Sequence, residues 1–214
     1  MLDAEGLTRA VLAGDRDAAA ALAAAALAAG ADPAEILNAG LLPGMDAVGQ
    51  RFARKELYLG EVLLAARAMQ AGIAVLKPAL AQAGHDAGPK PVVVIGTVKG
   101  DLHDIGKNLV TMMLEAGGLE VVDLGTNVST DRFLDAIREH NAAVLGLSAL
   151  LTTTMRQMRQ TIEELRRVGA MDGVKTVVGG APVTQEFADT IGADAWAPDA
   201  PAAVATIKRL VGAA

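Results

Sequence analysis

The chemistry this chain could carry gathers in Asp101-Leu102-His103-Asp104-Ile105-Gly106, where a histidine follows an aspartate by two residues. A neutral imidazole can give one ring nitrogen to a metal. A ligating histidine usually donates its other N–H to a carboxylate, which fixes the tautomer and raises the ligand's basicity. Asp101 is placed to be that carboxylate for His103. The other histidines offer nothing comparable: His85 sits among chain breakers, and His140 follows Glu139 at a helix end. Taken alone, the stretch has plainer readings. A loop histidine is commonly a surface residue, and aspartates in such loops often cap the next helix. We read Asp104 as a cap and Asp101 as more than one.

The flanking elements fix where this stretch would lie. Before it runs the β-branched Val92-Val93-Val94-Ile95, and after it a helical pattern through Leu109, Val110, Met112, Met113 and Leu114. Strand, glycine-punctuated loop and helix, in that order, present ligand sites at the carboxyl edge of open α/β sheets. The alternation continues, with strands expected at 92–96, 120–124, 143–148, 175–179 and 193–196. Helices are expected at 108–116, 130–140, 153–168, 184–191 and 201–211. Such βα units with near-continuous apolar strands predict a parallel sheet covered on both faces. A flavodoxin-like (Rossmann-like) order 2-1-3-4-5 follows, with its switch point between the first and third strands. That order would bring three loops to one edge: the one with Asp101 and His103, the run Ser148-Ala149-Leu150-Leu151-Thr152-Thr153-Thr154, and Gly179-Gly180-Ala181-Pro182.

Residues 1–88 read instead as a four-helix bundle. A first short helix ends near Gly14, and Asp15 caps a second that carries an alanine tract to Gly30. Asp32-Pro33 opens a third in the manner of an N-cap followed by proline, and Pro43 inside its apolar pattern should kink it. A fourth spans 61–82. Short connections suit a bundle. The breakers at 84–91 read as a linker between a helical domain, 1–88, and an α/β domain, 89–214.

Totals exclude several classes. With 52% hydrophobic residues, 21% charged and a net charge of -6, the chain has a core but no basic face for nucleic acid. Arg156, Arg159, Arg166 and Arg167 are interrupted by Glu163 and Glu164, as on a solvated helix face. No cysteine means no disulfide and no thiolate site, which fits a reducing cytoplasm. The acidic start Met1-Leu2-Asp3-Ala4-Glu5 is unlike a signal peptide, and the alanine tract is too short to span a bilayer. A cytoplasmic protein without a membrane partner is expected. The glycine spacing is wrong for a dinucleotide loop, and Ser148 stands where a phospho-receiver would want an acid. A phosphohydrolase metal site would need more histidines than this chain has.

Three motifs together carry a resemblance. Asp101-x-His103-x-x-Gly106, Ser148-x-Leu150 and Gly179-Gly180 reproduce the signature of cobalamin-binding domains that hold the cofactor with its own base displaced. The longer string from Gly96 to Asn108, with Gly44-Met45-Asp46-Ala47-Val48-Gly49 and Phe52, resembles the corrinoid proteins of methyltransferase systems. The resemblance implies His103 as the lower cobalt ligand and Asp101 as its orienter, with a hydroxyl completing the relay. Thr154 stands at the matching position, while Thr152 and Thr153 remain alternatives. It further implies cofactor contacts from Gly100, Leu102, Asp104, Ile105, Gly106, Ser148, Leu150, Thr152, Gly179 and Gly180, and from Ala197, Pro198 and Asp199 in the last loop. Glycines would clear a path for the nucleotide tail.

The implied cofactor is cobalamin, as methylcobalamin or a related corrinoid, and the helical domain would cap it. Gly60 departs from the proline common in the family before Glu61. The implied function is a methyl carrier and not a complete enzyme. Its partners would be a substrate:corrinoid methyltransferase, a methylcorrinoid:acceptor methyltransferase (tetrahydrofolate or a thiol coenzyme) and a reductive activase. A cobalamin-dependent sensor is the alternative.

Overall fold

Aspartates open the first three helices. In the computed structural model, which describes residues 2–82 and 91–212, Asp3 caps α1 (Ala4–Leu12) and Asp15 caps α2 (Arg16–Ala28) through the N–H groups of Gly6 and Ala18. Asp32 caps α3 (Pro33–Glu35), with Pro33 at the first position. The third helix does not end there. It runs through a π-helical turn (Ile36–Leu41) into α4 (Leu42–Ala53). Pro43 has no N–H to give the carbonyl four residues back, and its ring crowds that carbonyl. The chain answers by widening the preceding turn to the π spacing, so the expected kink takes the form of a π-bulge.

The fourth helix, α5 (Leu59–Gln82), begins two residues earlier than expected, where the Glu61 carboxylate accepts from the Tyr58 N–H at 2.7 Å. It also takes Pro78 into its interior. The stretch Leu59–Leu80 is long and apolar enough, by length and composition, to cross a membrane. Its apolar face is the core of the bundle: Val62, Ala65, Ala66, Met69 and Leu76 are fully buried, and α5 packs along α2 with its buried Ala19 and Ala23. Alanine at such a contact lets the helix axes approach closely. A Cβ built on Gly60 meets nothing within 4 Å. Gly60→Ala is therefore expected to stabilise the protein by about 0.5–1 kcal/mol, read as a higher urea midpoint with an unchanged slope.

The chain divides into two compact units, Met1–Pro89 and Lys90–Ala214. The expected linker, 84–91, lies outside the described residues except for Pro91.

In the second unit β1 (Val92–Thr97), β2 (Glu120–Asp123), β3 (Val144–Ser148), β4 (Lys175–Gly179) and β5 (Ala195–Ala197) form one parallel sheet. Its order is β2-β1-β3-β4-β5, the order expected from sequence. Between the strands run α6 (Ile105–Ala116), α7 (Thr130–His140), α8 (Thr152–Arg167), α9 (Gln185–Ile191) and α10 (Ala200–Leu210). The two faces differ. Val94, Leu145, Leu147 and Val178 pack with Phe133, Met158, Ile162 and Leu165 into one dense cluster. By strand alternation Ile95, Gly146 and Val177 face the other side, which a pair of contacting helices, α6 and α10, covers.

Strand β5 starts at Ala195, two residues later than expected, because Asp194 serves as a clip. Its Oδ2 accepts from both the N–H and the hydroxyl of Thr176 at 2.8 Å, and Lys175 Nζ lies 3.2 Å from Oδ1. Partial burial pushes the Asp194 carboxyl up, but these donors outweigh it and hold it below the ordinary carboxylate range. A lowered folded value means stability present above the unfolded value near pH 4 and lost as pH falls through the folded one. Asp194→Ala should cost about 1–2 kcal/mol at pH 7. Urea melts at pH 7 and pH 3 check this: the gap between variant and parent should shrink at the lower pH.

Candidate functional site

Register places the chemistry. Thr97 of β1 pairs with Ser148 of β3, Ser148 with Gly179 of β4, and Gly179 with Ala197 of β5. The carboxyl ends of four strands therefore stand in one row, and the loops that follow them open onto a common edge.

The loop leaving β1 is fixed by residues that sequence reasoning did not single out. The Thr97 hydroxyl, fully buried, donates to the carbonyl of His103 at 2.8 Å. Asn127, from the loop after β2, accepts from the Gly100 N–H at 2.8 Å through its side chain. Its own N–H donates to the Asp101 carbonyl at 2.9 Å, from a left-handed backbone with φ 54°. The available signal was modest: a Gly-Thr-Asn turn after strand two, at the same sheet edge.

Asp101 is fully buried and acts as the hub. Its Oδ1 accepts from the His103 N–H at 3.1 Å and faces His103 Nδ1 at 2.7 Å. Its Oδ2 accepts from the N–H groups of Leu150 at 2.8 Å and Leu151 at 3.2 Å, and from the Thr154 hydroxyl at 2.7 Å. Burial alone would push this carboxyl up. Hydrogen bonds from Thr154, the His103 ring and the backbone outweigh it and hold Asp101 well below the usual carboxylate range. An ionised carboxylate only accepts, so Nδ1 carries a proton, and in the neutral imidazole the lone pair lies on Nε2. The His103 side chain is half-exposed, between Leu102 and Ile105, which are 73% and 75% exposed.

The three threonines separate cleanly. Thr152 and Thr153 are exposed at the start of α8, while Thr154 is buried and bonded to Asp101. Asp104 stands at the N-cap position of α6, but its carboxylate makes no cap bond, contrary to the reading from sequence. The helix begins at Ile105 and not near Asn108, so Gly106 and Lys107 belong to its first turn. Lys107 is buried, with Nζ bonded to Asp123 and Asn108.

Beside His103 a cavity of about 460 Å³ opens between the sheet and the α6–α10 pair. Leu102, His103, Asp104, Ile105 and Gly106 line it from the first loop and α6. Ser148 and Leu150 line it from the end of β3, and Gly179, Gly180, Ala197, Pro198 and Asp199 from the far side. Gly100 and Thr152 do not reach it. A Cβ on Gly106 would meet nothing within 4 Å. At Gly180, with φ 127°, a Cβ would fall 1.9 Å from the Ala149 carbonyl oxygen, so only glycine lets the two loops pass. Asp199 accepts from the Ala202 N–H at 2.8 Å and caps α10.

Interiors are normally close-packed, so a hollow of this size walled by small and aliphatic residues is a place for a bound group. Among the described residues no three His, Asp or Glu side chains gather to hold a metal. His103 offers one nitrogen donor, with the cavity beside it. That donor set fits a metal carried in a macrocycle with an appended tail, as the sequence resemblance implies.

Comparisons with known proteins agree. One family model, described as a B12 binding domain, matches residues 91–206, and a second of the same description matches residues 3–77. Trimethylamine corrinoid protein 2 of Methanosarcina mazei is 45% identical over 194 residues, covering 91% of this chain and 89% of that protein. A dimethylamine corrinoid protein of Methanosarcina barkeri is 47% identical over 180 residues, 84% of each. Among solved structures, a cobalamin-binding protein from Desulfitobacterium hafniense gives a TM-score of 0.83 at 33% identity, covering 99% of this chain and 100% of that one. The methanol:cobalamin methyltransferase complex of Methanosarcina barkeri gives 0.82 at 30% identity, covering 98% and 79%. The chain belongs to the B12-binding corrinoid proteins.

Proposed function

We propose that this protein is a methyl carrier that receives a methyl group at one methyltransferase and delivers it at another. The observation that carries the reading is the Asp101 hub, which presents His103 Nε2 beside the slot. The corrinoid, when bound, supplies the cobalt that accepts and donates the methyl group. The chain's part is to hold and tune it. His103 would hold the cobalt through Nε2, with Asp101 fixing the tautomer of the ring and Thr154 bonding Asp101.

The residues that the resemblance assigns to the cofactor belong to this proposal, as do a helical cap, 1–88, and a cofactor domain, 89–214. A reductive activase and a cytoplasmic site of action complete it; the lack of cysteine supports a reducing compartment. Identity to tri- and dimethylamine corrinoid proteins supports a methylamine as methyl source, with selectivity residing in the partner methyltransferase.

The test loads the purified protein with methylcobalamin and adds a methylcorrinoid:acceptor methyltransferase with its acceptor. Stoichiometric loss of the alkylcobalt absorbance, with methyl appearing on the acceptor, is expected. A protein that keeps its methyl group and instead changes oligomeric state on illumination would be a sensor.

A further inference from the structure

We infer that the slot beside His103 selects corrinoids by their lower base, taking benzimidazole- and phenol-type bases over purines. The inference rests on the corrinoid reading above and deepens it. The slot's walls are aliphatic: Ile95 and Val177 from the sheet, and Val110, Ala203 and Ile207 from the helices, around the bare backbone of Gly146. The strand backbone behind them is paired in the parallel ladders.

Few polar side chains reach the cavity. Lys107 is held by Asp123 and Asn108, and Asp199, exposed in the loop after β5, gives one carboxylate oxygen to the Ala202 N–H. His103 and Asp104 stand partly exposed in the loop that opens onto it. The Ser148 hydroxyl remains, lining the cavity with no hydrogen-bond partner among the described residues. One hydroxyl can serve one ring atom. A benzimidazole has one ring nitrogen free of its glycosidic bond, and a phenol has none. A purine adds an exocyclic amino group and further ring nitrogens. In an aliphatic slot those would be buried without partners, at a loss of about tenfold in affinity or more.

The experiment titrates the full-length apo-protein with four corrinoids: cobalamin, p-cresolyl cobamide, adeninyl cobamide, and cobinamide, which has no nucleotide tail. All are kept in the Co(I) state, where none has its lower base on the metal. Dissociation constants are the readout. Cobalamin and the p-cresolyl form should bind about tenfold or more tighter than the adeninyl form. Ser148→Ala should weaken cobalamin and leave the p-cresolyl form unchanged. Equal affinity for adeninyl cobamide and cobalamin would overturn the base selection while leaving the carrier reading intact. Cobinamide binding as tightly as cobalamin would overturn occupancy of the slot, and no binding of any of the four would overturn the corrinoid reading itself.

Discussion

Asp101→Asn is expected to cost the apo-protein about 2–4 kcal/mol and to abolish histidine ligation while leaving His103 in place. The carboxylate accepts from five donors: two from His103 on one oxygen, and Leu150, Leu151 and Thr154 on the other. An asparagine has one acceptor oxygen. If that oxygen serves the Leu150, Leu151 and Thr154 side, the amide NH2 confronts the His103 N–H and ring. The ring can adapt only by taking Nδ1 as acceptor, which moves the proton to Nε2 and removes the lone pair that a metal needs. Chemical denaturation of the apo-protein reads the first effect. Nitrogen-15 NMR of the imidazole reads the second, as a switch from the Nδ1–H to the Nε2–H tautomer.

The pH signature has a definite sign. The folded Asp101 carboxyl lies below its unfolded value, so its contribution is complete above about pH 4 and fades only as pH falls toward the folded value. The parent should lose this advantage over the asparagine variant on acidification. A stability gap that widened on acidification would contradict the hub. Thr154→Val, which removes one donor of the five, should fall between parent and Asp101→Asn in stability while keeping the Nδ1–H tautomer.

The sheet order was legible because parallel strands buried on both faces spell near-continuous apolar runs, as Val92-Val93-Val94-Ile95 does. Local signals failed where the deciding interaction was remote in sequence. Gly106 and Lys107 look like loop residues, yet Lys107 sits buried in a helix because Asp123, sixteen residues on, receives its ammonium group. Strand β5 starts later than its apolar pattern suggests because Asp194 bonds Thr176 across the sheet. Asn127 and Thr97 shape the His103 loop through bonds that no local pattern encodes. Which of the three threonines is buried is legible in the helical period. Thr154, Met158, Thr161, Ile162 and Leu165 form the buried stripe of α8, at the spacing of one helix face. Thr152 and Thr153 fall off that stripe.

His103→Gly is expected to leave the fold nearly unchanged and to lower corrinoid affinity about 10–100-fold. The side chain is half-exposed and donates one ring hydrogen bond, so its removal should cost the apo-protein about 1 kcal/mol. The slot is built by other residues and persists, so cobalamin should still bind better than tail-less cobinamide. What disappears is the nitrogen donor. The Co(II) form of the parent should show nitrogen superhyperfine splitting in its EPR spectrum. The glycine variant should lose that splitting, become easier to reduce to Co(I), and regain the splitting with added imidazole. These readouts separate ligation from packing: a residue that merely shaped the loop would change affinity without changing the splitting. If affinity, spectrum and reduction were all those of the parent, His103 would be a surface residue and the hub would be orienting something else.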